Sequence, residues 1–289
     1  MRLYYYRDSR GNFGDDLNVW LWPQLLGKLV DTLNPYLAFN KASITDETET
    51  IFLGVGTLLN QHVPVQPRKV VLGAGVGYGA VPQVDEKWSI YAVRGPRSAH
   101  ALGIDQRFAI TDSGVLVRAV ELPEKEKTYP ISFFSYHENA QFINWKTPCE
   151  LAGIHHIDPS GDVLQVLDQV LRTEVLLTEA MHGAIVADAL RVPWIPVKVF
   201  HRLSGFKWMD WCESLELHYQ PHELPSVEPR KYRGVKGYAR KLVRSLTVCN
   251  RLRRLVATVE PVLSKDRVII DATERLLEQI ENMKRDMLA

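Results

Sequence analysis

The stretch EVLLTEAMHGAIVADALRVPWIPVKV, residues 174–199, contains a full strand–turn–helix–strand unit. Val175, Leu176 and Leu177 read as a buried strand, and Thr178, Glu179 and His182 occupy a sharp polar turn. A helix of small residues follows, and Pro193 closes it, because proline lacks a backbone donor and pushes its predecessor out of helical geometry. A strand that delivers a polar turn onto a helix N-terminus is how open α/β sheets build ligand sites. The free N–H groups and the helix dipole together favour an anion there. His182, at the opening of that helix, is placed to hand a proton to a bound group.

The same rhythm recurs on both sides. Residues 1–6 read as a first strand, and the turn DSRGNFGDDLN leads into a helix near 17–29. TIFLGVGTLL (50–59) and KVVLGAGVGYG (69–79) read as buried strands with glycine-rich ends, as a parallel sheet covered on both faces requires. Residues 88–93 form another strand that delivers Arg94 to a turn. Pro96 then suits a helix start, and Gly103 its end. The charged, proline-bounded stretch ELPEKEKTYP marks a linker, after which ISFFSYH, a helix from about Asn139, GIHHIDPS and a helix over 162–172 repeat the pattern. Asp158 or Ser160 supplies the polarity at the start of that last helix. The expected fold class is therefore α/β, with two Rossmann-like domains facing a cleft. Their bounds are 1–122 and 123–225, followed by a helical segment over 226–289.

Composition excludes several classes. With 289 residues, 46% hydrophobic and 24% charged, the chain is an ordinary globular protein long enough for two domains. Its 35 basic and 34 acidic residues nearly cancel, so nothing global points to nucleic acid. No apolar run approaches the ~20 residues that span a bilayer, and Arg7, Asp8 and Arg10 interrupt any signal-peptide core. The expected location is cytoplasmic. Three widely spaced cysteines match no metal motif and suit a reducing compartment. His155 and His156 are adjacent on a strand and point to opposite faces, so no metal is assigned to them.

Among chemistry-bearing groups, GAGVGYG matches a dinucleotide fingerprint poorly. Pro82 disturbs the helix that should follow, and no acid stands at the end of a next strand. Gly75 is better read as a point where backbone approaches a neighbour or ligand closely. Asn12, Gly14, Asp15 and Asp16 form the first loop. Asp15 or Asp16 suits a general base on a sugar hydroxyl or a metal ligand, and equally a helix cap. Arg94, at a strand end, suits a bidentate clamp on phosphate or carboxylate, or a salt bridge. From residue 230 to 254 the chain has ten Lys or Arg and no acid, with apolar residues at helical spacing. That segment reads either as a packed helix with a solvated face or as a contact for an anionic membrane surface.

NFGDD, LGVGTLL, VLGAGVG, AVRGPRSAHALGI, TDSGVLV and TEAMHGAIVADALRVPWIPV, in this order and spacing, resemble the polysaccharide pyruvyl transferase family. The likeness is closest to bacterial ketal-pyruvate transferases of exopolysaccharide synthesis. The resemblance implies a GT-B-like pair of domains, phosphoenolpyruvate as donor, and a glycan acceptor on a lipid carrier or polymer. It implies no metal or redox cofactor and no nucleic acid partner. His182 is the expected proton donor, Asp15 the base, and Arg94 the donor clamp, with Asn12, Gly14, Gly75, Ser113, Glu179 and Gly183 around the substrates. The basic segment 230–255 would then hold the protein at the inner face of the plasma membrane. One departure stands out: many members carry arginine two residues before the histidine, where this chain has Ala180. Either Lys198, His201 or Arg202 supplies that second cation, or the site does without it. The alternatives are a glycosyltransferase using a nucleotide sugar, with Glu179 on the ribose, and a non-catalytic glycan-binding scaffold.

Overall fold

The structure is a computed structural model that describes residues 1–38, 47–140, 143–199, 204–225 and 234–288. Two five-stranded sheets organise it, and every strand pair in both is parallel. The first half runs β1 (Arg2–Tyr5), α1 (Phe13–Leu26), β2 (Asp31–Leu37), β3 (Thr50–Leu53), β4 (Arg68–Leu72), β5 (Trp88–Ala92) and α2 (Pro96–Leu102). The second runs β6 (Tyr129–Phe134), α3 (His137–Ala140), α4 (Lys146–Leu151), β7 (His155–Ile157), α5 (Val163–Leu171), β8 (Thr173–Thr178), α6 (Met181–Ala189), β9 (Trp194–Lys198), α7 (Gly205–Ser214) and β10 (His222–Glu223). Two long helices follow, α8 (Gly234–Thr258) and α9 (Asp266–Leu288).

The first sheet is ordered β2-β1-β3-β4-β5 and the second β10-β9-β8-β6-β7. Numbered within its own half, the second sheet repeats the first. In each, the strand order reverses beside the first strand, between β1 and β3 and between β6 and β8. Doubly wound sheets place ligands outside the carboxyl ends of their strands at such a point. This fold has two.

Several elements differ from the sequence expectation. The apolar runs 50–59 and 69–79 leave the sheet after Leu53 and Leu72. Their glycines turn the backbone through φ values of 116° at Gly56 and 87° at Gly73, a region other residues avoid. The two tails then bond each other, Gly75 N–H to Gly56 O at 2.9 Å and Leu59 N–H to Gly75 O at 3.1 Å. Asn18 fastens α1 to the first tail by donating to Val55 O and accepting from Val55 N–H, both at 2.9 Å. Asp162, not Asp158 or Ser160, caps α5 by accepting from Leu164 and Gln165 N–H. The helix α6 ends at Ala189, and Arg191 turns through φ 60° before Pro193.

The largest apolar cluster joins both sheets, with Leu3, Phe52 and Leu72 at one end and Leu176, Ile185 and Trp194 at the other. Phe13 and Phe134 meet at 5.6 Å between ring centres across it. The apolar face of α9 (Ile269, Leu276, Ile280) joins this cluster beside Ala92, and Tyr91 donates to Asp286 at 2.7 Å. The basic helix α8 instead buries Val248, Cys249 and Leu252 against Phe133, Trp145 and Cys149 of the second half. No helix among the described residues is long and apolar enough to cross a membrane.

Candidate functional site

Loops from the carboxyl ends of both sheets meet around a cavity of about 620 Å³. From the first reversal point come Asn12, Gly14 and Asp15 after β1, and Thr57 and Asn60 after β3. From the second come Tyr136, His137 and Glu138 after β6, and Ala180 and His182 after β8. Lys207 of α7, with Tyr78, closes one wall. The N-terminus of α1 is gripped from the other half, since Phe13 N–H donates to Pro159 O at 2.7 Å.

His182 is the best-defined chemical group here. A Cβ on Gly14 would sit 2.0 Å from its Nδ1, so only glycine lets the backbone of α1 lie against the ring. On the far side Nε2 is buried without a hydrogen-bond partner, and it lies 3.9 Å from Asp112 Oδ2, which is equally unpartnered. Asp112 is itself buried, and its other oxygen accepts from Gly114 N–H at 2.9 Å. The ring thus has a carboxylate behind it and the cavity before it, and its side chain is 16% exposed. Burial, then the charges of Lys207 and Arg94, push the imidazole pKa down to about 3. Burial pushes Asp112 up to about 6, against the pull of Arg94. At neutral pH the His182 ring is therefore uncharged.

Asp15 also lines the cavity and accepts from Asn12 Nδ2. Burial and then the neighbouring Asp16 push it up to about 7, against the opposing charge of Lys207. A carboxyl tuned to neutrality exchanges protons efficiently in either direction at physiological pH. Asn12 itself donates its N–H to Asp16 Oδ2 at 3.1 Å, which pins the start of α1.

The remaining expected residues stand behind the wall. Arg94 is fully buried: Nε pairs with Asp210 at 3.0 Å, Nη1 donates to Thr57 Oγ1 at 2.9 Å, and Nη2 donates to Val76 O. It reaches the cavity only through Thr57. Gly75 makes room for it, since a Cβ there would lie 2.4 Å from Arg94 Cζ. Ser113 is buried and donates to Leu72 O at the end of β4. Glu179 is buried and accepts from Val199 N–H at 2.7 Å and Asn139 Nδ2 at 3.1 Å, so it braces β9 and α3 and does not face a ribose. Gly183 lies against Thr178 and Phe134. Lys198 pairs with Glu223 at 3.2 Å away from the cavity, and His201 and Arg202 lie outside the described residues.

Sequence reasoning missed Asp112 and Lys207 as site residues. Asp112 sits in the TDSGVLV motif but nothing there marks it out from its neighbours, and no motif marks Lys207. His155 and His156 do diverge: His155 bonds Gln169 and stacks on Tyr129, whereas His156 bonds Ser135.

The Asp15 shift has a stability consequence. Its carboxyl keeps a proton up to about pH 7 when folded but only to 3.8 ordinarily. Between those values the folded state binds more protons, so stability falls as pH rises through the window and the cost is complete above it. Asp15→Asn should therefore melt a few degrees above the wild type at pH 8 and level with it near pH 4, by calorimetry. A difference that does not vary with pH would remove the shift.

Residues 12–199 match the polysaccharide pyruvyl transferase family. The chain is also 37% identical over 243 residues to the succinoglycan biosynthesis protein ExoV of Rhizobium meliloti strain 1021. That match covers 82% of this chain and 72% of the relative. The matched span starts at Asn12 and ends just past β9, so it takes in the Asp15 loop, Thr57, Arg94, Asp112 and His182. With a neutral imidazole backed by a carboxylate at the meeting point of two sheets, this chain belongs to the polysaccharide pyruvyl transferase family and is a transferase.

Proposed function

We propose that the protein transfers the pyruvyl group of phosphoenolpyruvate to a sugar of an exopolysaccharide unit, closing a cyclic ketal. The carrying observation is His182, aimed into the cavity with Asp112 behind it. The relative's role in succinoglycan biosynthesis supports an exopolysaccharide acceptor. We assign a GT-B-like arrangement with the donor between the two sheets, a reading supported by the cavity of about 620 Å³ there, which has room for a three-carbon acid beside a sugar.

The reaction needs two sugar hydroxyls to lose protons. One proton goes to the methylene carbon C3, which becomes methyl, and the other leaves with inorganic phosphate. Protonation at C3 makes C2 electrophilic. The first hydroxyl oxygen adds there, phosphate departs, and the second hydroxyl closes the ring. Asp15, tuned near neutrality, takes a proton from the attacking hydroxyl. His182 passes a proton to C3, and Asp112 stabilises the imidazolium while it exists, as a buried carboxylate does behind a catalytic histidine. Burial first, and then the cations Lys207 and Arg94, hold the His182 pKa down. An anionic donor offsets the cations, so the histidine gains basicity when the donor arrives.

Phosphate release from phosphoenolpyruvate that depends on a glycan acceptor tests the reaction. Release of a nucleoside diphosphate from a nucleotide sugar, with phosphoenolpyruvate left untouched, would favour a glycosyltransferase. His182→Ala should lower turnover by about 10²- to 10⁴-fold while donor affinity stays within a few-fold. Gly14→Ala should do nearly the same with the fold intact, since its methyl group would displace the imidazole. Full turnover in either variant would remove His182 from the mechanism.

The acceptor we assign is lipid-linked, and α8 is the membrane contact. Its C-terminal half is covered by α4, but at its N-terminal end Val235 is 89% and Tyr238 73% exposed. These two and Leu242 share one face at helical spacing, flanked by Lys236, Arg240, Lys241 and Arg244. Each such cation is worth about 1 kcal/mol at an anionic surface. The protein should float with phosphatidylglycerol vesicles, not with phosphatidylcholine, and salt should release it. Equal or absent binding to the two would refute the contact.

A further inference from the structure

The wall of the cavity lacks the cation that family likeness leads one to expect at position 180. Ala180 opens directly on the cavity, and a methyl group attracts no anion. Two cations do line the space. Arg10 is clamped by Asp8, with Nε–Oδ1 at 3.1 Å and Nη2–Oδ2 at 3.2 Å. Lys207 is different. Its Nζ donates to Tyr78 OH at 2.8 Å and lies 5.2 Å from that ring and 6.0 Å from the ring of Tyr136. Among the described residues no carboxylate comes within 4.0 Å of it. An ammonium has three protons to donate, and Tyr78 takes one.

The stem of Lys207 is held in place. Asp210, one helical turn later on α7, is buried against Arg94 Nε at 3.0 Å and accepts from Ser98 N–H at 2.9 Å and Ser98 Oγ at 2.5 Å. The same Arg94 donates to Thr57 Oγ1 at 2.9 Å, so the Thr57 hydroxyl keeps its own proton to donate elsewhere. Thr57 and Lys207 meet across Gly77, where a Cβ would sit 3.0 Å from Thr57 Cγ2 and 3.5 Å from Lys207 Cβ. One buried ion pair thus sets both the cation and a neighbouring donor.

We propose that Lys207, with the Thr57 hydroxyl, forms the subsite for the anionic donor and stands in for the arginine missing at position 180. The inference rests on the phosphoenolpyruvate reading above and names where that donor's charge is received. It also assigns Arg94 a positioning role, since Arg94 reaches the donor only through Thr57 and α7.

Calorimetric titration of phosphoenolpyruvate into the full-length protein tests this. Lys207→Met should weaken binding about 10- to 100-fold, the usual worth of a charge-assisted contact. Lys207→Arg, which keeps the charge, should bind within a few-fold of wild type, and so should Arg10→Met. Melting temperatures of the variants identify any misfolded protein. Wild-type affinity in Lys207→Met overturns the subsite, and so does an equal loss in Lys207→Arg when that variant is folded. Absence of binding by the wild type itself would instead overturn the donor, a separate failure.

Discussion

The buried pair between Arg94 and Asp210 is the interaction on which the site's geometry depends. Both side chains have zero exposure. Charges so placed forfeit several kcal/mol of hydration each, and only a full set of partners makes the arrangement tenable. They have one: Thr57, Val76 O and two donors from Ser98 complete the network. Gly95 allows the close approach, because a Cβ there would lie 2.0 Å from Asp210 O. The pair ties the end of β5, in the first half of the chain, to α7, in the second. Breaking such a pair costs about 3–5 kcal/mol. Behind α7, Trp194, Trp208, Trp211 and Tyr219 form an aromatic cluster that sets its other face.

From this anchor the electrostatics of the cavity follow. Lys207 and Arg94 both act on His182, Lys207 more strongly, and both oppose proton uptake by the ring. Lys207 also opposes the upward shift of Asp15, and Arg94 and then Lys207 that of Asp112, without cancelling either. Asp15 therefore holds its proton up to about pH 7 and His182 gives its own up near pH 3, the reverse of the order of such groups in water. Groups pushed apart in this way are how one site runs acid and base steps at one pH. An anion beside Lys207 moves the balance back toward a protonated His182. On the proposed function, donor binding and proton placement are then one event.

Much of this was legible in the chain because it is local. Residues 174–199 fold as the strand, turn, helix and strand they read as, and His182 does open α6. Pro96 and Gly103 bound α2, with Gly103 in the left-handed conformation. What escaped is non-local. DTLNPYL carries a proline and an asparagine and buries none of its residues fully, so β2 has neither the composition nor the alternation of a strand. Its edge position, paired to β1 alone, makes that tolerable. Arg94 reads as either a clamp or a salt bridge, and which one is hidden because its partner Asp210 lies 116 residues further on and is buried. Asp112 carries no sign of its role in the chain: one oxygen caps the turn at Gly114, and the other meets His182 only after two halves of the chain pack together.

The central claim is that both reversal points serve one donor site, with His182 facing the reacting carbon. A crystal structure of the protein with phosphoenolpyruvate tests it most directly. The account predicts the donor's charge between Lys207 and Thr57, its methylene carbon about 3–3.5 Å from His182 Nδ1, and the Arg94–Asp210 pair intact. A donor bound outside this cavity, or Arg94 released from Asp210 to hold it, would contradict the account.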